Sequence, residues 1–142
     1  MIHRVLLVDD DPRDLRLTEL ALAQAGITSG VVKVQGGVEA LESLRGETPS
    51  VVLLDLKMPG MDGLQVLREI RADDRLRAVP VVVLTSSRED RDIDDCYAHG
   101  ANAFVVKPVK FQEYLSAIKD IAVFWLGRSE APLGARTGWS RM

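Results

Sequence analysis

The chain has 142 residues, of which 46% are hydrophobic and 27% charged, and its net charge is −3. These values are typical of one globular domain, and the negative charge argues against a general nucleic-acid-binding protein. The single cysteine excludes an intramolecular disulfide. No apolar run reaches membrane-spanning length and no signal segment is present, so we expect no membrane partner and a cytoplasmic location.

The first half of the chain alternates short apolar runs with helical patterns. Val5–Val8 predicts a buried strand that ends in three aspartates, Asp9 to Asp11. Asp11 followed by Pro12 is typical of a helix start, and this first helix should end at Gly26. A second strand is predicted over residues 31–34 and a short helix over residues 38–44.

The second half repeats the alternation. The run V-V-L-L over Val51–Leu54 predicts a strand that ends at Asp55, and helical spacing resumes after Gly63. Further strands are predicted over residues 81–84 and 103–106. Helices are predicted from about residue 89 to residue 100 and from residue 111 to residue 126.

Five strands that alternate with five helices predict parallel pairing through right-handed crossovers. We therefore expect an α/β, flavodoxin-like, doubly wound five-stranded parallel sheet with strand order 2-1-3-4-5. In this order the first and third strands are neighbours. Asp9, Asp10 and Asp55 should then meet at the carboxyl edge of the sheet.

The position of Asp55 indicates chemistry rather than helix capping. A helix cannot begin there, because Pro59 and Gly60 interrupt the chain, so a metal ligand or a nucleophile is favoured. Three carboxylates about 5 Å apart repel one another by about 3 kcal/mol per pair at an effective dielectric constant near 20. A divalent cation would remove that repulsion, and oxygen ligands suit Mg²⁺ or Mn²⁺. A solvated helix N-terminus explains Asp11 well, but explains Asp9 and Asp10 less well, since they lie before the helix cap.

Thr85 and Lys107 end the fourth and fifth strands and should lie at the same edge. Taken alone, Lys107 is explained as a surface lysine and Thr85 as a helix cap. Together with Asp55 and a cation, however, they complement a phosphoryl group carried by that aspartate, because each outer oxygen gains a partner.

These motifs, in order V-D-D, L-L-D-L-K-M-P-G-M-D-G, V-L-T-S and F-V-V-K-P, resemble the receiver domain of two-component response regulators over about residues 2–126. The resemblance implies that Asp55 is the phospho-acceptor and Lys107 the phosphate-binding ammonium. Thr85 and Phe104 would be the switch residues. The implied magnesium ligands are Asp10, Asp55, Asp9 through water, and the backbone carbonyl of Lys57. It also implies a cis Lys107–Pro108 peptide bond.

The implied function is that of a response regulator which accepts a phosphoryl group from a sensor histidine kinase and catalyses only its own phosphotransfer and autodephosphorylation. Lys57 and Ser87 are expected to tune the phosphoryl lifetime. Three alternatives stay open: a receiver-like interaction module that is never phosphorylated, a phosphate sink for the kinase, and a phosphohydrolase. The last is disfavoured because it normally uses a second aspartate where Lys57 stands.

The C-terminal part predicts domain organisation and partners. Residues 1–126 form the expected receiver domain, and the tail of residues 127–142 is too short for an output domain, so a stand-alone receiver is expected. The last helix carries one apolar stripe predicted to face the core, with Phe111, Leu115, Ile118, Ala122 and Trp125, and an adjacent second stripe, with Tyr114, Ala117, Ile121 and Phe124. A single broad buried face explains the two stripes at least as well. From the second stripe and the tail we predict a homodimer, with Tyr114, Ile121, Phe124 and Trp125 in the interface. The F-W-L ending resembles the stand-alone receivers that serve bacterial phytochrome kinases.

Overall fold

The structure, a computed structural model, describes residues 4–127 of the chain. Its centre is a parallel five-stranded sheet with strand order β2-β1-β3-β4-β5, which confirms the predicted order. The strands are β1 (Val5–Val8), β2 (Val31–Val34), β3 (Val51–Leu54), β4 (Val81–Thr85) and β5 (Ala103–Val106).

Four α-helices connect the strands and a fifth follows β5, as predicted. They are α1 (Pro12–Gln24), α2 (Gly37–Gly46), α3 (Gly63–Ala72), α4 (Asp90–Ala98) and α5 (Phe111–Ala122). Asp11 caps α1 by accepting a hydrogen bond from the Arg13 N–H, as the sequence predicts. The last helix differs in its final turn, because a π-helical segment, Val123–Gly127, continues from α5.

The core lies on both faces of the sheet because successive strand residues point to opposite sides. Leu6 and Val8 pack with α2, α3 and α4 on one face, whereas Val5 and Leu7 pack with α1 and α5 on the other. All residues of β1, β3 and β4 are buried. Their continuous apolar runs are therefore explained by burial on two sides rather than one.

The strand register brings the carboxyl ends of the central strands together. Val8 pairs with Leu54, and Thr85 pairs with Val106. The Asp55 N–H donates to the Val8 carbonyl over 2.9 Å, and the Lys107 N–H donates to the Thr85 carbonyl over 2.7 Å. The residues that follow these strands consequently share one edge.

The prediction for α5 is wrong for two interface residues. Tyr114 is only 4% exposed and Ile121 only 1%, so both belong to the core, whereas Phe111 from the stripe predicted to face the core is 49% exposed. The reason is that the buried face of the helix is broader than one stripe, since Ile118 and Ala122 of the predicted core stripe are buried together with Tyr114 and Ile121. In this orientation the Tyr114 hydroxyl lies 2.6 Å from the Thr18 hydroxyl of α1, which satisfies both buried groups.

The expected cis bond before Pro108 is also wrong, since residues 4–127 contain no cis peptide bond. Trans is the intrinsically favoured form by about 0.5–1 kcal/mol, and Lys107 reaches the acidic edge without the cis turn. The part of the predicted tail beyond Gly127 lies outside the described residues. Within the described range, no helix is long and apolar enough to cross a membrane.

Candidate functional site

Four strand ends contribute side chains to one open cleft of about 630 Å³. Asp9 follows β1, Asp55 follows β3, Thr85 ends β4 and Lys107 follows β5. All four line the cleft, as does Asp10. The structure thus brings together the residues that the sequence placed at this edge of the sheet.

The acidic part of the cleft consists of Asp9, Asp10 and Asp55. One carboxylate oxygen from each lies within 4.8 Å of the others. Asp9 and Asp55 are buried and Asp10 is exposed. Burial raises the pKa of Asp9 to about 6, although hydrogen bonds from Lys107 and the Asp11 N–H oppose this rise. The cluster therefore holds concentrated negative charge with one side open to water.

Lys107 balances part of this charge. Its ammonium lies 2.6 Å from Asp9 and 2.9 Å from Asp14, and 3.7 Å from Asp55. Burial acts to lower the pKa of Lys107, but the hydrogen bonds to Asp9 and Asp14 and the charge of Asp55 outweigh it and raise the pKa. Lys107 is consequently a fixed positive charge whose nearest partners are the two carboxylates of β1 and α1.

The β4 side of the cleft carries the hydroxyl groups of Thr85, Ser86 and Ser87. Thr85 is buried, and its hydroxyl oxygen accepts a long hydrogen bond of 3.4 Å from the Ser87 N–H. Phe104, on the neighbouring strand β5, is partly buried against the core that α2, α3 and α4 cover. Its N–H donates to the Tyr97 hydroxyl over 3.0 Å, which ties β5 to α4.

A second ion pair lies where the cleft meets α4. The Lys57 ammonium is 3.3 Å from the Asp92 carboxylate, which also accepts a 2.5 Å hydrogen bond from the Ser87 hydroxyl. This hydrogen bond, helped by Lys57 and opposed by burial, lowers the pKa of Asp92. The two residues expected to tune lifetime thus share one carboxylate partner.

The loop after β3 is held close to the acceptor by Gly63. A Cβ at this position would overlap the Asp55 carbonyl oxygen, so only glycine fits without a shift. The Gly63 N–H donates to the Leu56 carbonyl over 2.9 Å, and Asp62 caps α3 in a capping box with Gln65. The loop that carries Lys57 is therefore fixed at its far end.

Asp14 and Asp92 are charged residues at or beside the site that the sequence analysis missed, and each is paired with a lysine of the cleft. A signal exists for each. Asp14 follows Asp10 by four positions, so a helix beginning near Pro12 directs it back towards the cluster. Asp92 precedes the buried Cys96 by four positions, which places a carboxylate on the buried side of α4.

A match to known proteins identifies this arrangement. Residues 5–119 match the family model described as the response regulator receiver domain. The chain belongs to this family. It is thus a receiver domain of a response regulator in two-component signalling, and such domains have sensor histidine kinases as partners.

Several solved receiver structures resemble most of the chain. The phosphorylated cyanobacterial phytochrome response regulator RcpA is 36% identical, with a TM-score of 0.84 and coverage of 93% of this chain and 98% of that one. The bacteriophytochrome response regulator AtBRR is 48% identical, with a TM-score of 0.71 and coverage of 88% and 96%. The Mn²⁺-bound form of Rcp1, a protein of Synechocystis, is 30% identical, with a TM-score of 0.82 and coverage of 92% and 99%.

The donor set of this receiver domain fits the metal ions that such domains bind. Receiver domains take Mg²⁺ or Mn²⁺ in their acidic pocket. Here carboxylate oxygens converge at an edge that is open to water, which suits a hard cation that keeps part of its hydration shell. The residues present therefore fit a hydrated divalent cation.

Proposed function

We propose that Asp55 accepts a phosphoryl group from a phosphohistidine of a sensor histidine kinase, and that the resulting acyl phosphate switches the conformation of the domain. A carboxylate oxygen of Asp55 attacks phosphorus in line, the phosphorus–nitrogen bond breaks, and the imidazole leaves. The observation that carries the proposal is the convergence of Asp55, Lys107 and the acidic pair Asp9 and Asp10 in one cleft.

Each residue has a role that its position supports. Asp10 and Asp55 would hold Mg²⁺ directly, with Asp9 through water and the backbone carbonyl of Lys57 completing the set. The bound cation supplies positive charge that offsets the charge of the transferring group. Lys107 exchanges its contacts with carboxylates for one with a phosphoryl oxygen, because the new anion carries more charge.

The switch would begin at Thr85. Its hydroxyl becomes a donor to a second phosphoryl oxygen and gives up the contact with the Ser87 N–H. The movement changes the space beside Phe104, which is already partly buried and can turn further inward. Because Phe104 lies on β5 and its N–H is bonded to Tyr97 of α4, the surface of α4, β5 and α5 is the part that would read the change.

The direct test uses phosphoramidate as a small phosphodonor together with Mg²⁺, followed by intact-mass measurement. We expect one added phosphoryl group, lost in Asp55→Asn and after chelation of Mg²⁺, and retained in the exposed control Asp74→Asn. Rapid release of many phosphates with no accumulation of the phosphorylated mass would instead favour a phosphohydrolase. No addition in the presence of excess Mg²⁺ would favour an interaction module that is not phosphorylated.

We propose a bacterial phytochrome kinase as the physiological donor, because AtBRR and RcpA are similar along nearly their whole length. Phosphotransfer rates from a panel of purified sensor kinases test this. A phytochrome kinase should transfer faster than the others at equal concentration. Equal rates across the panel, or preference for an unrelated kinase, would refute the assignment.

Two of the four residues predicted for the homodimer interface, Tyr114 and Ile121, lie in the core, so the prediction now depends on the other two. Phe124 and Trp125 are partly buried in the single chain and stay candidates for the interface, together with the tail. Light scattering at tens of micromolar, compared between the protein and Phe124→Ala, is the appropriate measurement. We expect a dimeric mass that decreases in the variant, and a monomeric mass for the unaltered protein would contradict the prediction.

A further inference from the structure

Asp92 is a buried carboxylate that joins two loops of the site. It lies in the first turn of α4 and is only 6% exposed. One of its oxygens accepts the 2.5 Å hydrogen bond from Ser87 and lies 3.3 Å from the Lys57 ammonium. The other oxygen is 3.5 Å from the same ammonium.

Both partners of Asp92 line the cleft and stand two residues beyond a central residue of the site. Lys57 follows Asp55 in the loop after β3, and Ser87 follows Thr85 in the loop after β4. The Ser87 N–H also donates to the Thr85 hydroxyl oxygen. A single carboxylate therefore connects the loop of the acceptor with the loop of the hydroxyl donor.

Stabilisation of α4 alone does not explain this geometry. Negative charge in the first turn of a helix is favourable, and this accounts for an acidic residue at position 92. The N-cap residue Glu89 makes no side-chain capping bond, and the Ser87 hydroxyl oxygen accepts only a long 3.4 Å hydrogen bond from the Glu89 N–H. The Asp92 side chain is instead directed at Ser87 and Lys57, and a buried carboxylate requires such partners to offset the loss of water.

We propose that Asp92 is a positioning residue that holds Lys57 and Ser87 as one wall of the cleft, and so sets how long a phosphoryl group survives on Asp55. This inference rests on the proposed function. The wall restricts the approach of water to the phosphorus atom. The Lys57 side chain is 61% exposed, so without Asp92 little else in its surroundings fixes its position. The wall then opens, and hydrolysis becomes faster.

Because Asp92 acts through its partners, removing Asp92 or Lys57 should change the rate constant of dephosphorylation in the same direction. Asp92→Asn and Lys57→Ala should each increase the first-order rate constant of dephosphorylation by up to about fivefold, the scale of one ion pair with an exposed partner. The double variant should be no faster than the faster single variant, since both changes remove the same wall. If the two substitutions acted independently, their effects on the rate constant would multiply.

The experiment loads each protein with phosphoramidate and saturating Mg²⁺, removes the donor, and follows the phosphorylated mass with time. Asp94→Asn is the matched control, because it removes an exposed carboxylate from the same helix and should decay at the original rate. Thermal melting of each variant checks that a rate change is not caused by unfolding. If Asp92→Asn fails to fold, Ser87→Ala removes one contact of the same wall and should shift the rate in the same direction.

The outcomes separate this inference from the function on which it rests. Phosphorylation of the unaltered protein with unchanged decay in Asp92→Asn overturns the role of Asp92 and leaves the proposed function intact. A double variant whose rate is the product of the two single effects overturns the shared wall. Failure of the unaltered protein to take up a phosphoryl group overturns both.

Discussion

Replacing Asp14 with asparagine should speed phosphorylation of Asp55, because Asp14 competes with the incoming phosphoryl group for Lys107. The Lys107 ammonium lies 2.9 Å from the Asp14 carboxylate. To reach a phosphoryl oxygen, the ammonium has to weaken this contact. The variant Asp14→Asn removes the charge and keeps the size of the side chain. Lys107 then has one carboxylate contact fewer to break before it reaches the phosphoryl group.

The size of the effect follows from the distance and the exposure. At 2.9 Å the attraction is about 6 kcal/mol for an effective dielectric constant of 20 and about 1.4 kcal/mol in bulk water. The Asp14 side chain is 34% exposed, so the value near water is the appropriate one. We expect a net effect of about 1 kcal/mol, which corresponds to about fivefold in rate.

The assay is the initial rate of phosphoryl uptake from phosphoramidate below its saturating concentration, read by intact mass at saturating Mg²⁺. Asp11→Asn is the matched control. It removes a carboxylate that lines the same cleft but pairs with Arg13, and asparagine can still cap α1. An Asp14→Asn rate equal to or below that of the unaltered protein would refute the competition for Lys107. An equal increase in the rate of Asp11→Asn would show that the increase comes from lower negative charge in the cleft and not from the contact with Lys107.

Three further predictions concern stability. Tyr114→Phe should lose about 1–2 kcal/mol of unfolding free energy in urea because it leaves the buried Thr18 hydroxyl without its partner. The double variant with Thr18→Val should recover part of this loss, and strict additivity would argue against the bond. Gly63→Ala should lower the melting temperature, since its Cβ would overlap the Asp55 carbonyl oxygen; an unchanged value would contradict the close approach. Burial raises the pKa of Asp9 from 3.8 to about 6, so the folded protein keeps a proton that the unfolded chain releases at lower pH. The contribution of Asp9 to the unfolding free energy should therefore be full below about pH 4 and lost as the pH rises through about 6. Urea titrations without metal measure this pH dependence, which should be absent from Asp9→Asn.

The residues of the central cleft could be predicted from the sequence because the rules involved are local. A continuous Val and Leu run identifies a strand buried on both faces, and parallel strands present their carboxyl ends at one edge. The sequence therefore predicts that Asp55, Thr85 and Lys107 lie together, and in the structure all three line one cleft. The role of Asp55 as the phospho-acceptor is a proposal that Asp55→Asn tests.

The tertiary structure alone decided how the helices are rotated and which charges pair across them. Adjacent apolar stripes on α5 differ by one residue, or about 100° around the axis, and the sequence pattern does not choose between them. The packing against α1 and the sheet buries residues of both stripes, and it gives the Tyr114 hydroxyl a partner in Thr18. The same holds for Asp14 and Asp92, whose partners are distant in sequence. Strand ends are fixed by short-range pattern, whereas contacts between helices and loops depend on distances that only the packed chain defines.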